Sequence, residues 1–177
     1  QAHMMVDPES AGEAGIKVLE VLAAEGGQVV VPMIVDPRGV DLNYYRPLGQ
    51  TEYMANLERR IITACEQMHI LMTNTCINYQ TIMPPLLNES VAFGDTGVVI
   101  YSNSVCGARS NFEGGPSALA AGLTGRTPRY GFHVQKNRCA TRRFRIISQP
   151  ITVLEWGILG AIVGKKLGSY WEVPVIE

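Results

Sequence analysis

Residues 51–79 run TEYMANLERRIITACEQMHILMTNTCINY, and their reading decides the fold class. Leu57, Ile61, Cys65 and Met68 recur at the spacing of one α-helical face, which predicts a helix over Thr51–Met68 with Thr51 as its cap. His69–Thr73 then changes to a short apolar run, a second strand, closed by the polar tract Thr73-Asn74-Thr75-Cys76. A helix that feeds straight into a strand is half of a βαβ unit, and the same alternation continues on both sides.

Upstream, Pro8–Glu25 carries an apolar stripe through Ala14, Ile16, Leu19 and Leu22, and Gly26-Gly27 stops it. Gln28–Val35 is a valine-rich run of the kind buried on both faces of a sheet, with Pro32 pointing to an edge position. Asp36-Pro37-Arg38-Gly39 reads as a turn. Downstream, Glu89–Phe93 begins another element, and Gly97–Tyr101 reads as a third strand ending in Ser102-Asn103-Ser104. Pro116–Leu123 reads as a helix with Pro116 in its first turn and Gly125 past its end. Tyr130–Val134 and Arg143–Ile147 read as strands, Thr152–Lys166 as a helix and Trp171–Ile176 as extended. The alternation predicts an α/β fold over residues 1–177, with a mainly parallel sheet flanked by helices.

Hydrophobic residues make up 46% of the chain and charged residues 18%, enough for a sizeable core. A net charge of −1 argues against general affinity for nucleic acid or anionic membrane, both of which need a basic surface. Lys136, Arg138, Arg142, Arg143 and Arg145 form the one basic cluster, read as a solvated face or a contact to other domains. No apolar run reaches the ~20 residues of a membrane span, and no signal peptide is visible, so a cytoplasmic protein is expected. Phosphate-loop and dinucleotide fingerprints are absent. The cysteines at 65, 76, 106 and 139 show no C-x-x-C spacing, so any metal site must gather ligands from distant parts of the fold or from outside the chain.

Parallel sheets place ligands at the carboxyl ends of their strands. Two such ends are expected here, Thr73-Asn74-Thr75-Cys76-Ile77-Asn78-Tyr79 and Ser102-Asn103-Ser104-Val105-Cys106-Gly107-Ala108-Arg109-Ser110-Asn111, both rich in hydroxyls and amides. These two blocks resemble motifs of the aconitase X family. Asn88–Phe93, Ala118–Arg126, Gly12-Glu13-Ala14-Gly15 and Tyr170–Pro174 fit the same family, so the resemblance spans nearly the whole chain.

The resemblance implies an aconitase-like domain of a hydro-lyase that removes water from a small hydroxy acid, with an iron–sulfur cluster held by three cysteines. It implies cis-3-hydroxy-L-proline as the preferred substrate and mevalonate 5-phosphate as the alternative. A non-catalytic α/β assembly or regulatory domain is the reading from another class. The family's large portion is longer than this chain, so a fragment or isolated domain is expected, working with the remaining domains or a small subunit.

Cys76 is the expected cluster ligand, because a thiolate is the preferred soft donor for iron–sulfur centres. The alternative is an ordinary buried thiol. Cys65 is read as core, Cys106 as a small packed residue, and Cys139 is set aside. Asn103, Ser104 and Arg109 are the expected substrate contacts, Arg109 because a guanidinium grips a carboxylate with two hydrogen bonds. Ser104 is read as the catalytic residue, a base or a hydrogen-bonding group. Asn78 and Tyr79 are expected to line the same pocket, with Glu89 and Ser90 as further candidates. For Asn103, Ser104 and Arg109 the competing reading is bracing of the loop, with Arg109 paired to an acid such as Glu113. His3 is weak at the start of the chain, His69 is read as structural at a strand start, and His133 is undecided.

Overall fold

A computed structural model describes residues 1–177, which form two compact units, Gln1–Pro128 and Arg129–Glu177. In the first, β1 (Ala2–Met4), β2 (Met33–Val35), β3 (Leu71–Met72) and β4 (Ala92–Phe93) make a sheet in the order β3-β2-β1-β4. Every pairing is parallel, and His3 lies beside Ile34 on one side and Phe93 on the other. β2 is therefore an interior strand. Pro32 precedes it and contributes only its carbonyl, which accepts the Ala2 amide at 3.0 Å, so the missing N–H is not needed and the expected edge position is corrected.

α1 (Pro8–Ala24) connects β1 to β2, and α2 (Glu52–Gln67) connects β2 to β3. Asp7 caps α1 by accepting the Glu9 and Ser10 amides, and Thr51 caps α2 by accepting the Met54 amide. α2 buries Leu57, Ile61, Ala64 and Cys65 against Ile16 and Leu19 of α1 and against Ala2, Met4, Met33 and Val35 of the sheet. His69 does not begin a strand. It closes α2 in the left-handed conformation (φ 62) with its side chain in solvent.

The other face of the sheet carries α3 (Asn78–Thr81) and α4 (Thr96–Ser104), with Tyr79, Val91, Phe93 and Val98 clustered there. The strand expected over Gly97–Tyr101 is thus a helix. Asp95 caps it by accepting the Gly97 amide at 3.2 Å, and Ser102 Oγ donates to the Val98 carbonyl at 2.6 Å. Short apolar runs fit either period, and here the cap decides.

Residues 109–112 return alongside β4 in parallel, with Arg109 opposite Ser90 and Phe112 opposite Phe93. α5 (Gly115–Thr124) follows and ends at Gly125 (φ 65), as its proline and glycine foretold.

In the second unit, the strand expected over Tyr130–Val134 is replaced by two 3₁₀ turns, Gly131–His133 and Gln135–Arg138. Gly131 is left-handed (φ 53), which interrupts an extended run. β5 (Arg142–Phe144) pairs in parallel with β6 (Pro174–Ile176). α6 (Val153–Leu167) starts at a capping box made by Thr152 and Glu155. Part of the basic cluster is neutralised here, with Arg142 2.8 Å from Glu172 and Arg143 3.1 Å from Glu177. No helix is long and apolar enough to cross a membrane.

Candidate functional site

The strand order reverses between β1 and β4, and the carboxyl ends of the strands form the edge where such sheets bind ligands. Alternation along the strands sends His3, Ile34 and Phe93 to the face that carries α3 and α4, and one step further places Asp36 and Thr73 on that face at the carboxyl edge.

The turn that holds Cys76 is fastened to this edge by Asn78. That residue is fully buried, and its Nδ2 donates to the Val35 carbonyl and to Thr73 Oγ1, both at 3.0 Å. Its Oδ1 is buried without a hydrogen-bond partner. Tyr79, one residue on, packs its ring edgewise to His3 at 6.5 Å and against Tyr101 at 5.3 Å. Cys76 itself is exposed. Three sequence-predicted residues, Cys76, Asn78 and Tyr79, therefore share one edge and one face of the sheet.

The other three lie elsewhere. α4 starts at the carboxyl edge and carries Ser104 about 12 Å away along its axis, at 1.5 Å per residue, to an exposed position. Arg109 pairs beside Ser90, ahead of β4, at the amino edge, and its Nη2 donates to Asn88 Oδ1 at 3.2 Å. Asn103 turns its amide onto the backbone: Nδ2 donates to the carbonyls of Val99 (2.9 Å) and Ser110 (3.0 Å), and Oδ1 accepts the Ser110 amide. These are the contacts of a loop brace. Glu89 also serves local structure, accepting the Leu86 amide at 2.8 Å.

His3 and Asp36 complete the carboxyl-edge group. His3 is fully buried, and its Nε2 stands 3.3 Å from Asp36 Oδ1 without the alignment of a hydrogen bond. The sequence carries a signal for this pair. His3 interrupts an apolar run, Ala2-His3-Met4-Met5-Val6, and Asp36 directly follows a valine-rich strand.

A cavity of about 650 Å³ opens on the opposite face, between α1 and α5, lined by Met4, Met5, Gly94, Leu119 and Glu113. Glu113 is 6% exposed, and its Oε1 is without a hydrogen-bond partner.

The thiols divide by environment. Burial pushes the Cys65 thiol up to about 12, which makes it an inert core group, and burial also raises Cys106. No group of three His, Cys, Asp or Glu side chains is arranged to hold a metal ion. Cys76 is the exposed thiol beside the carboxyl edge of the sheet, and its thiolate would suit one ligand position of a cluster.

The family model described as "Aconitase X first domain" matches residues 1–136. The chain belongs to the aconitase X family. It is 41% identical to the phosphomevalonate dehydratase large subunit of Methanothermobacter thermautotrophicus, covering 95% of this chain and 44% of that protein. It is 31% identical to the cis-3-hydroxy-L-proline dehydratase of Hypocrea jecorina, over 93% of this chain and 28% of that protein. The crystal structure of aconitase X from Thermococcus kodakaraensis, in its holo form, superposes with a TM-score of 0.85 at 31% identity, covering 99% of this chain and 43% of that one. The chain spans less than half the length of these aconitase X relatives.

Proposed function

We propose that this chain is part of the large subunit of a dehydratase that removes water from mevalonate 5-phosphate, acting in the cytoplasm with the rest of that subunit and a small subunit. The observation that carries the substrate is the stronger likeness to phosphomevalonate dehydratase large subunits than to cis-3-hydroxy-L-proline dehydratases. This reverses the order in which the motifs alone ranked the two substrates. The hydroxyproline reading keeps the support of a relative matched over most of the chain.

In this reading Cys76 is one of three thiolate ligands of an iron–sulfur cluster. A cluster with one iron free of cysteine supplies a Lewis acid for the departing hydroxyl. Asn78 holds the Cys76 turn against β2 and β3 through its two side-chain hydrogen bonds, and so fixes where that ligand stands. Tyr79 closes the face behind it against His3.

The test uses the full-length large subunit with its partner, purified without oxygen, as wild type and Cys76→Ser. Iron, sulfide, visible absorption and turnover of both substrates are measured. The expected result is a coloured wild type that dehydrates mevalonate 5-phosphate and a variant that has lost iron, colour and activity. A variant that retains the cluster removes Cys76 as a ligand. Turnover of cis-3-hydroxy-L-proline alone installs the second reading.

A further inference from the structure

We propose that Asp36 is the acid–base carboxylate of the dehydration, and that His3 is the positioning residue behind it. The role rests on the dehydratase reading above.

His3 lies on the central strand, 0% exposed, and neither ring nitrogen makes a hydrogen bond. Burying a polar group in that state forfeits its hydrogen bonds to water without replacing them. Packing alone would place a purely apolar ring here, as it does at the neighbouring Phe93. What the imidazole gains is a polar contact: Nε2 stands 3.3 Å from Asp36 Oδ1. Its ring plane is fixed by Tyr79, at 82° and 6.5 Å, and by Phe93 at 5.9 Å. Catalytic hydrogen bonds are often long or misaligned before substrate binds, and this contact has that form.

Asp36 differs from His3 in access. Its side chain is 17% exposed, at the carboxyl end of β2. Asn78 anchors the Cys76 turn to the carbonyl of Val35, the residue immediately before Asp36. β2 and β3 are adjacent, and paired strands lie about 4.8 Å apart, so the carboxylate and the Cys76 turn stand at neighbouring strand ends on the same edge. Ser104 and Arg109 lie away from that edge. Glu113 belongs to the cavity on the other face. Asp36 is a partly exposed carboxylate at this edge that stands against a fully buried imidazole.

In the reaction, an Asp36 carboxylate oxygen takes the proton from the carbon next to the one bearing the hydroxyl. The C–H electron pair becomes the new C=C bond as the C–O bond breaks. The departing hydroxide and the proton released by Asp36 together make the expelled water.

The test compares wild type, Asp36→Asn, Asp36→Ala, His3→Gln and His3→Phe in the full-length, partner-bound enzyme, with iron content and Tm measured beside kcat and KM. Asp36→Asn is expected to lower kcat by about 10²–10⁴-fold, the range of a lost acid–base group, with KM and iron little changed. Formate is expected to restore part of the activity of Asp36→Ala, which a purely structural carboxylate would not allow. His3→Phe is expected to lower kcat by roughly 10- to 100-fold through misplacement, with His3→Gln retaining more. Asp36→Asn with wild-type kcat, or Asp36→Ala that formate does not rescue, overturns the role of Asp36. His3→Phe with wild-type kcat overturns the positioning role. A wild type inactive on both mevalonate 5-phosphate and cis-3-hydroxy-L-proline overturns the dehydratase reading itself and this role with it.

Discussion

Glu58 is an acid at a core position of α2, 1% exposed, and its Oε2 accepts the amides of Gly39 (3.0 Å) and Val40 (3.2 Å). Burial raises its pKa, and the two backbone hydrogen bonds only partly oppose the shift. A carboxyl raised on folding contributes stability that is fully present below its unfolded pKa, near ~4.3, and is lost as pH rises through the folded value. Glu58→Gln keeps an oxygen for both amides and removes the buried charge. Thermal melts are expected to show the variant more stable than wild type at about pH 8 and equal to it near about pH 3, below the carboxylate range. A variant less stable than wild type at about pH 8 and equal to it at about pH 3 would mean that the ionised carboxylate is needed to hold the Gly39 loop. Single residues of the candidate site were legible where their setting was local. Cys76, Asn78 and Tyr79 follow a strand whose end is marked by the sequence itself. His3 was read only as a weak candidate and Asp36 only as part of a turn, because the contact that joins them lies between two strands and no spacing along the chain encodes it. Asn103 illustrates the converse, since its residue type suits a ligand site and its amide is spent on the loop.

Among the elements, α1, α2, α5 and α6 were legible because each is long enough to show a period and carries a cap. The strands are only two or three residues long, so their extent and their neighbours are set by pairing. α4 shows the limit most clearly. Val98, Val99 and Ile100 suit a strand, and the Asp95 cap and the packing of Val98 and Ser102 make them a helix. That change carries Ser104 from the carboxyl edge to the helix's far end. The junction after β4 has its own requirement. Gly94 donates to the His3 carbonyl at 2.9 Å, and a Cβ added to it would stand 2.6 Å from the Glu113 carbonyl. Both neighbours are backbone, so relief requires the strand-like segment beside β4 to move away. Gly94→Ala is therefore expected to destabilise the chain by roughly 1–3 kcal/mol, the usual range for overpacking, measured by urea unfolding. A loss well below that range would show that the Glu113 segment yields easily, and that its place beside β4 is loosely fixed.

At the scale of the molecule, the two units differ in what holds them. Residues 1–128 bury a continuous core from Ala2 through Ile61 to Ala121, covered on one face by α1, α2 and α5 and on the other by α3 and α4. Residues 129–177 bury only Gly131, His133 and Val163. Ile147 (98%), Val153 (90%) and Ile151 (88%) stand almost wholly in solvent. The pattern of α6 was readable in sequence, but whether its apolar residues find a cover is a property of the whole protein, and this chain spans under half of its relatives. Even a domain of about 60 residues with a proper core is marginal, and here the paired strands and the Arg142–Glu172 and Arg143–Glu177 contacts must act with almost no core. Exposed ion pairs of that kind contribute about 0–1 kcal/mol each, far short of the conformational entropy that ordering the segment removes. A polypeptide of residues 1–128 is thus expected to melt cooperatively, with a transition close to that of the full chain. Residues 129–177 alone are expected to show no cooperative transition by circular dichroism or calorimetry. A sharp melt of 129–177 would mean that its strands and helix hold one another without a buried core. Loss of cooperativity in 1–128 would mean that the sheet depends on the C-terminal unit, and the site at its carboxyl edge with it.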